Sequence, residues 1–216
     1  MRVAMAGVLV WIAFSGVVHA QSAAPPPDKG YVEVVAQSAF GNVTSQSYGV
    51  ELGFNVLPTL QVFVEAGQTR NVATSRLGTD AQKIAGGLSQ TQAGVGYSVK
   101  EPVTFGAASV RFLIPVTGSK AQPYVLAGVG MAKVKQDVVF TVGGNDVTST
   151  LPSLGVVLGT DLSGEFTKPM FVFGGGVAYP VWQQVIVDAQ FRFGRILAEG
   201  SAINVSRAGL GLGVRF

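Results

Sequence analysis

The sequence has no cysteine among its 216 residues. Disulfide staples, thiolate metal sites, Cys–His catalysis and anchoring through a lipidated cysteine are therefore excluded. Histidine is almost as scarce, with His19 the single copy. Charged residues make up only 12% of the chain, against about 25% in an ordinary soluble domain. That leaves too little polar surface for a water-facing globule, and the mean hydropathy of +0.41 agrees. The formal net charge of +3 is small and its lysines and arginines form no cluster. A nucleic-acid partner is thus not expected, because binding it needs a concentrated basic patch.

A membrane-spanning helix is missing as well. The longest uncharged stretch after the N-terminal region runs from Pro169 to Val187, "PMFVFGGGVAYPVWQQVIV". It has the length for a span, but Pro180, three consecutive glycines and Gln183-Gln184 make it a poor helix. It reads better as two strands broken at a proline turn.

The N-terminus accounts for part of the hydropathy. Arg2, an apolar core from Val3 to Val18 and the small residue Ala20 follow the pattern of a cleaved secretory signal over residues 1–20, with an uncleaved anchor helix as the alternative. The next segment, "QSAAPPPDKG" (21–30), is a proline-rich spacer that cannot join a core.

From residue 31 onward the chain alternates with period two, the mark of strands with two unlike faces. In "SYGVELGFNV", Tyr48, Val50, Leu52, Phe54 and Val56 share one face, opposite Gly49, Glu51, Gly53 and Asn55. "LQVFVEAGQT", "ASVRFLI" and "VIVDAQFRFG" repeat the pattern, with Glu65, Arg111, Asp188 and Arg192 opposite the apolar face. "YVEVVAQSAF" does so less cleanly around Glu33. The segment from Ala208 to Phe216 sets Leu210, Leu212, Val214 and Phe216 against Arg207, three glycines and Arg215. "PYVLAGVGMAK" and "MFVFGGGVAY" complete eight strands, and the sequence leaves open which of their faces points which way.

The connections differ in kind. Residues 57–59, 116–123 and 179–183 are short and contain proline, whereas 71–102 and 134–168 are long. Short turns at one end, longer loops at the other and an even number of strands are what a transmembrane barrel requires. Lipid offers no hydrogen-bond partner, so a spanning sheet must close on itself. Within the first long loop "DAQKIAGGL" suggests a short helix with Asp80 as N-cap and Gly86 and Gly87 as its end, and the second has room for extra strand. Tyr48, Phe54, Tyr124, Phe171, Tyr179 and Trp182 fall near strand ends, where an aromatic girdle would sit.

A soluble sandwich or lipocalin-like barrel would turn its apolar face inward instead. The charges decide between the two. Glu33, Glu51, Glu65 and Asp188 stand with Arg111, Arg192, Arg207 and Arg215 among glycines, and the strands carry almost no lysine. Small residues with balanced ions suit a narrow interior, not a solvated exterior. The expectation is an all-β fold: an eight-stranded antiparallel up-and-down transmembrane β-barrel over residues 31–216.

The signal, the eight alternating strands and the Phe-ended last strand together resemble the small eight-stranded outer-membrane barrels of OmpA and OmpX type. The resemblance implies a location in the bacterial outer membrane, with its lipid bilayer as a partner. It also implies that the assembly machinery of that membrane reads Leu210, Leu212, Val214 and Phe216. OmpA-type proteins often add a peptidoglycan-binding domain; none follows the eighth strand here, so tethering by that route is not expected.

Some barrels of this family are enzymes acting on lipid or protein, with a histidine near a serine or aspartate. His19 falls inside the expected signal, so Ser–His catalysis and histidine zinc sites have no candidate residues. Glu51 and Glu65 could form a carboxylate pair for acid–base work, but pairing with Arg111 or Arg192 is the simpler expectation. No catalytic residue, cofactor or metal site is therefore assigned. An eight-stranded barrel is just wide enough to be filled by side chains, so the charged residues should plug it. The reading is a non-enzymatic barrel with a structural or surface-interaction role, any ligand being met by loops 71–102 and 134–168. The alternative is a narrow channel for small molecules.

Overall fold

The computed structural model describes residues 28–159, 162–198 and 202–216. The expected signal peptide, and the spacer as far as residue 27, lie outside the described residues. Eight strands close into one antiparallel barrel. They are β1 (Gly30–Phe40), β2 (Ser45–Leu57), β3 (Leu60–Thr69), β5 (Val103–Leu113), β6 (Gln122–Lys135), β9 (Glu165–Pro180), β10 (Val185–Ile196) and β11 (Ile203–Arg215). Each pairs with the barrel strands next to it in sequence, and β1 pairs with β11 from Tyr31 opposite Arg215 to Phe40 opposite Ser206.

The alternation maps directly onto inside and outside. On β1, Val32 and Val34 are half exposed while Glu33 between them is 1% exposed. The outer wall is apolar on every barrel strand, through residues such as Leu52, Val64, Val110, Phe173, Phe191 and Leu212. Glu33, Glu51, Glu65, Arg111, Asp188, Arg192 and Arg207 point inward and are buried. This is the reverse of a soluble barrel, and it is stable only where the solvent outside is hydrocarbon.

The two strands whose facing the sequence leaves open are settled by glycine. On β6 Tyr124 and Leu126 point inward and Val125 and Val129 outward. On β9 Gly174 and Gly176 take inward positions opposite Arg192 and Gln190, and Phe171, Phe173 and Val177 point outward. A Cβ at Gly176 would strike the Tyr124 hydroxyl, so the run of three glycines makes room for a lumenal side chain.

The long connections are not loose. The first contains helix α1 (Ser75–Leu88) and strand β4 (Val95–Lys100); the second contains β7 (Asp137–Val142), β8 (Asn145–Asp146) and a 3₁₀ turn (Thr148–Leu154). Strands β4, β7 and β8 form a separate three-stranded sheet. Lys100 pairs with Asp137 just beyond the pair Val103–Val134, so β4 and β7 extend the β5–β6 ladder past the barrel. Pro102, which has no N–H to donate, lies at the break between the two ladders. Leu77, Ala81, Ala85 and Leu88 line one side of α1 and pack with Val138, Phe140, Leu151 and Leu162 into a second apolar core.

Two expectations about these loops need correction. The helix begins earlier than "DAQKIAGGL": Thr74 is the N-cap, its hydroxyl accepting from Leu77 N at 3.4 Å, whereas Asp80 lies inside the helix and pairs with Lys83 on its exposed side. Gly86 and Gly87 belong to the helix and do not end it. Strand β4 is an element that the sequence pattern does not announce, because "VGYSVK" is short and its partner is remote.

Candidate functional site

The lumen gathers the buried charges, and the strand register dictates how. Glu33 on β1 pairs with Glu51 on β2, and Glu51 pairs with Glu65 on β3, so three carboxyls form a row across adjacent strands. Arg192 on β10 stands directly opposite Arg207 on β11. Like charges placed this way repel. The two walls instead neutralise each other across the lumen.

Glu51 is the hub. Arg192 Nη2 donates to its Oε1 at 2.8 Å and Arg111 Nη2 to its Oε2 at 2.9 Å. The Tyr31 hydroxyl lies 3.5 Å from the same Oε2. Arg111 also stands 3.6 Å from Asp188, and the Tyr124 hydroxyl donates to Asp188 Oδ2 at 2.5 Å. Arg111 is stacked among aromatics, its Cζ 4.1 Å from the centre of the Tyr124 ring and 5.1 Å from that of Phe63. Arg207 stands 3.6 Å from Glu65 and rests over Phe105 at 4.1 Å. Planar guanidiniums suit this double duty of ion pairing and ring stacking, which an ammonium would serve less well.

Glu33 differs from the other acids. Gln190 Nε2 donates to its Oε1 at 2.8 Å, Gln37 in turn donates to Gln190, and among the described residues no guanidinium pairs with it. Arg215 stands apart from the network altogether. Its side chain lies at the short-turn end, 2.9 Å from Asp28 and donating to the Gln183 carbonyl at 3.2 Å. The last residues of β11 have reached the barrel rim there, so Arg215 clamps the chain entry and does not cross the lumen.

One aromatic was misplaced by position alone. Tyr124 is near a strand end but only 2% exposed, and it joins the network and not the outer girdle. Tyr48, Phe54, Phe171, Tyr179 and Trp182 do face outward. Sequence reasoning also passed over Tyr31, Gln37 and Gln190 as network members. Their parity with Glu33 and Asp188 was the available signal.

Packing is tight around Arg207. The void enclosed by Gly49, Glu51, Glu65, Phe105 and Arg207 measures about 10 Å³, roughly the space of one water molecule. Where the cap, formed by α1, β4, β7, β8 and the 3₁₀ turn of the long connections, meets the barrel, the buried Glu101 carboxylate accepts from Thr74 N at 3.1 Å at the start of α1. Burial raises its pKa above the usual carboxylate value, against the lowering effect of that bond, of Gln136 and of Arg76.

These features define a class. The chain has the fold of the small eight-stranded outer-membrane β-barrels. It is similar to the crystal structure of Neisserial surface protein A, at 16% identity and a TM-score of 0.54 over 87% of this chain and 96% of that one. It is similar to a major outer membrane protein from Thermus thermophilus, at 11% identity and a TM-score of 0.53 over 87% and 99%. It also resembles the N-terminal β-barrel domain of Pseudomonas aeruginosa OprF, at 15% identity and a TM-score of 0.50 over 88% and 99%. No protein-family model and no curated protein sequence matches the chain.

Proposed function

We propose that this protein is a non-enzymatic barrel of the bacterial outer membrane, with a plugged lumen and a surface-interaction role carried by its folded cap. The observation that carries the reading is the cap itself. Two connections remote in sequence converge on one apolar core of α1, β7 and the 3₁₀ turn. Ordering so many loop residues costs conformational entropy, and a barrel that served only to fill membrane would gain nothing from it. Binding and recognition residues belong on loops held by a rigid scaffold.

Two features support the plugged lumen. The side chains of Glu51, Arg111, Asp188 and Arg192 are each 2% exposed or less, and cross-lumen ion pairs tie their strands together. The enzymatic reading lacks an exposed acid–base pair, since Glu51 and Glu65 are buried and arginines face them.

The test replaces residues 70–102 and 136–164 by tight turns and follows binding of the bacteria to surfaces and soluble ligands. Loss of binding with the barrel still inserted is expected; an unchanged surface phenotype would refute the reading. Single-channel recording separates the narrow-channel alternative, which requires a steady current through the wild-type barrel in a planar bilayer.

A further inference from the structure

The outer wall carries charge at few places. Among the described residues, the only outward-facing charged side chains on the eight barrel strands are Lys133, Lys135, Glu165 and Arg195, all at the end bearing the long connections. Lys133 is held by Glu165 at 2.6 Å. Arg195 is exposed, and no acid or hydrogen-bond acceptor engages its guanidinium among the described residues. It sits between Phe171 on β9 and Asn204 on β11.

Beside it runs an apolar groove of about 530 Å³ along β6 and β9. Ala127, Gly128 and Val129 form its floor, Phe171 and Phe173 its wall, and Arg195 is the one charged residue that lines it. The small side chains of β6 beside the phenyl rings of β9 create the depression. Two further grooves lie on the belt: one across Leu52, Val62 and Ala108 shares the Ala127–Val129 edge of β6 with it, and one across Val34, Tyr48 and Leu210 lies apart from both. Neither contains a charged residue.

We propose that the Arg195 groove is a seat for a phosphate-bearing lipid of the leaflet at the long-connection end. An acyl chain lies against Ala127, Val129 and Phe173, and the guanidinium holds the phosphate at headgroup level. Geometry and charge argue for this occupant together. Arg195 is ten residues beyond Val185 on a tilted strand, which carries it across the roughly 25 Å apolar band to the far interface. A planar guanidinium binds phosphate bidentately. An unpaired arginine facing hydrocarbon is costly unless it reaches the interface and meets an anion there. The proposal rests on the barrel spanning a bilayer, and not on any role of the cap.

The test uses the full barrel in phosphatidylcholine nanodiscs containing either phosphatidic acid or diacylglycerol with the same chains. Lipid that stays bound after detergent extraction is counted by native mass spectrometry. The wild-type barrel should keep phosphatidic acid over diacylglycerol. One basic side chain near a membrane surface contributes enough for Arg195→Gln to lower that preference about fivefold. Arg195→Lys should fall between the two, because an ammonium keeps the charge but not the bidentate geometry. Ala127→Leu, which fills the groove floor from outside, should reduce retention of phosphatidic acid, and Ala36→Leu in the uncharged groove that shares no residue with it should not. Equal retention of the two lipids, or an undiminished preference in Arg195→Gln, would overturn the proposal. Failure of the wild-type barrel to insert into nanodiscs would overturn the membrane reading with it.

Discussion

Arg192 and Glu51 meet at 2.8 Å across the lumen although 141 residues separate them in the chain. The pair bridges β10 and β2, which β1 and β11 keep apart in the sheet. It therefore braces the barrel across its diameter, where no backbone hydrogen bond reaches. Glu51 also receives Arg111, so its removal strands two buried guanidiniums at once. Breaking one side of a buried ion pair costs about 3–5 kcal/mol, and Glu51→Gln should lose stability on that scale. Glu33→Gln should cost under about 1 kcal/mol, because an amide oxygen still accepts from Gln190 and no arginine is orphaned. Urea unfolding in lipid vesicles, followed by fluorescence of the exposed Trp182, checks both values. Equal losses at the two positions would contradict the hub assignment.

Glycine supplies the second prediction. A Cβ placed on Gly211 would coincide with the Glu33 carboxylate, and one on Gly53 would enter the Tyr31 ring. The "GLGLG" run thus places its leucines in lipid and leaves its inward positions empty for β1 side chains. Gly211→Val should destabilise the barrel by about 1–3 kcal/mol through overpacking. Gly86 is the opposite case: it lies on α1 with nothing within reach of an added Cβ. Gly86→Ala should stabilise the cap by about 0.5–1 kcal/mol. The unfolding midpoints of the two variants should therefore move in opposite directions, the first at the barrel transition and the second at the cap transition.

Much of this architecture is written in the period-two pattern. Glu33, Glu51, Glu65, Asp188 and Arg192 point inward because apolar residues flank them at alternate positions, and closure follows from the lipid outside. The pairings within the lumen are not written there. That Arg192 finds Glu51 depends on the register around the whole ring, which no local pattern encodes. Arg215 has the same parity as Arg207 yet lies at the rim, since depth along a strand depends on where the strand ends. The cap was least legible. Its sheet joins "VGYSVK" to "DVVFTV", each too short to announce a strand until the other covers it.

The cap should respond to pH through Glu101. Burial raises its carboxyl above the ordinary carboxylate value, with Thr74 N, Gln136 and Arg76 opposing that shift. The folded cap therefore holds this proton to higher pH than the unfolded segment does. Stability from this group is fully present below the ordinary carboxylate range. It is lost as pH rises through the raised value, after which it is flat. Helix α1 gives the cap its own circular dichroism band against the β background, so denaturation read at that band isolates the cap. Glu101→Gln should remove this falling slope. A wild-type cap whose stability rose with pH across the same window would contradict the sign.

Phe216 provides the last prediction. Its carbonyl accepts from Lys29 N at 2.6 Å and Gly30 N at 3.0 Å, and its ring packs edge-on against Phe54 with centroids 6.2 Å apart. The side chain is half exposed at the short-turn rim, outside the lumen. The backbone bonds that seal β1 to β11 do not depend on the ring. A charged residue near the interface costs a barrel only about 0–1 kcal/mol, so Phe216→Asp should refold in detergent almost as well as the wild type. We propose that in cells the assembly machinery of the outer membrane reads this aromatic ring together with the outward Leu210, Leu212 and Val214. There the same variant should reach the outer membrane at a small fraction of the wild-type level. Heat-modifiable gel migration measures folding in both settings. Normal surface levels of Phe216→Asp would remove the last strand from that role, whereas failure in both settings would make the ring a structural requirement of the barrel.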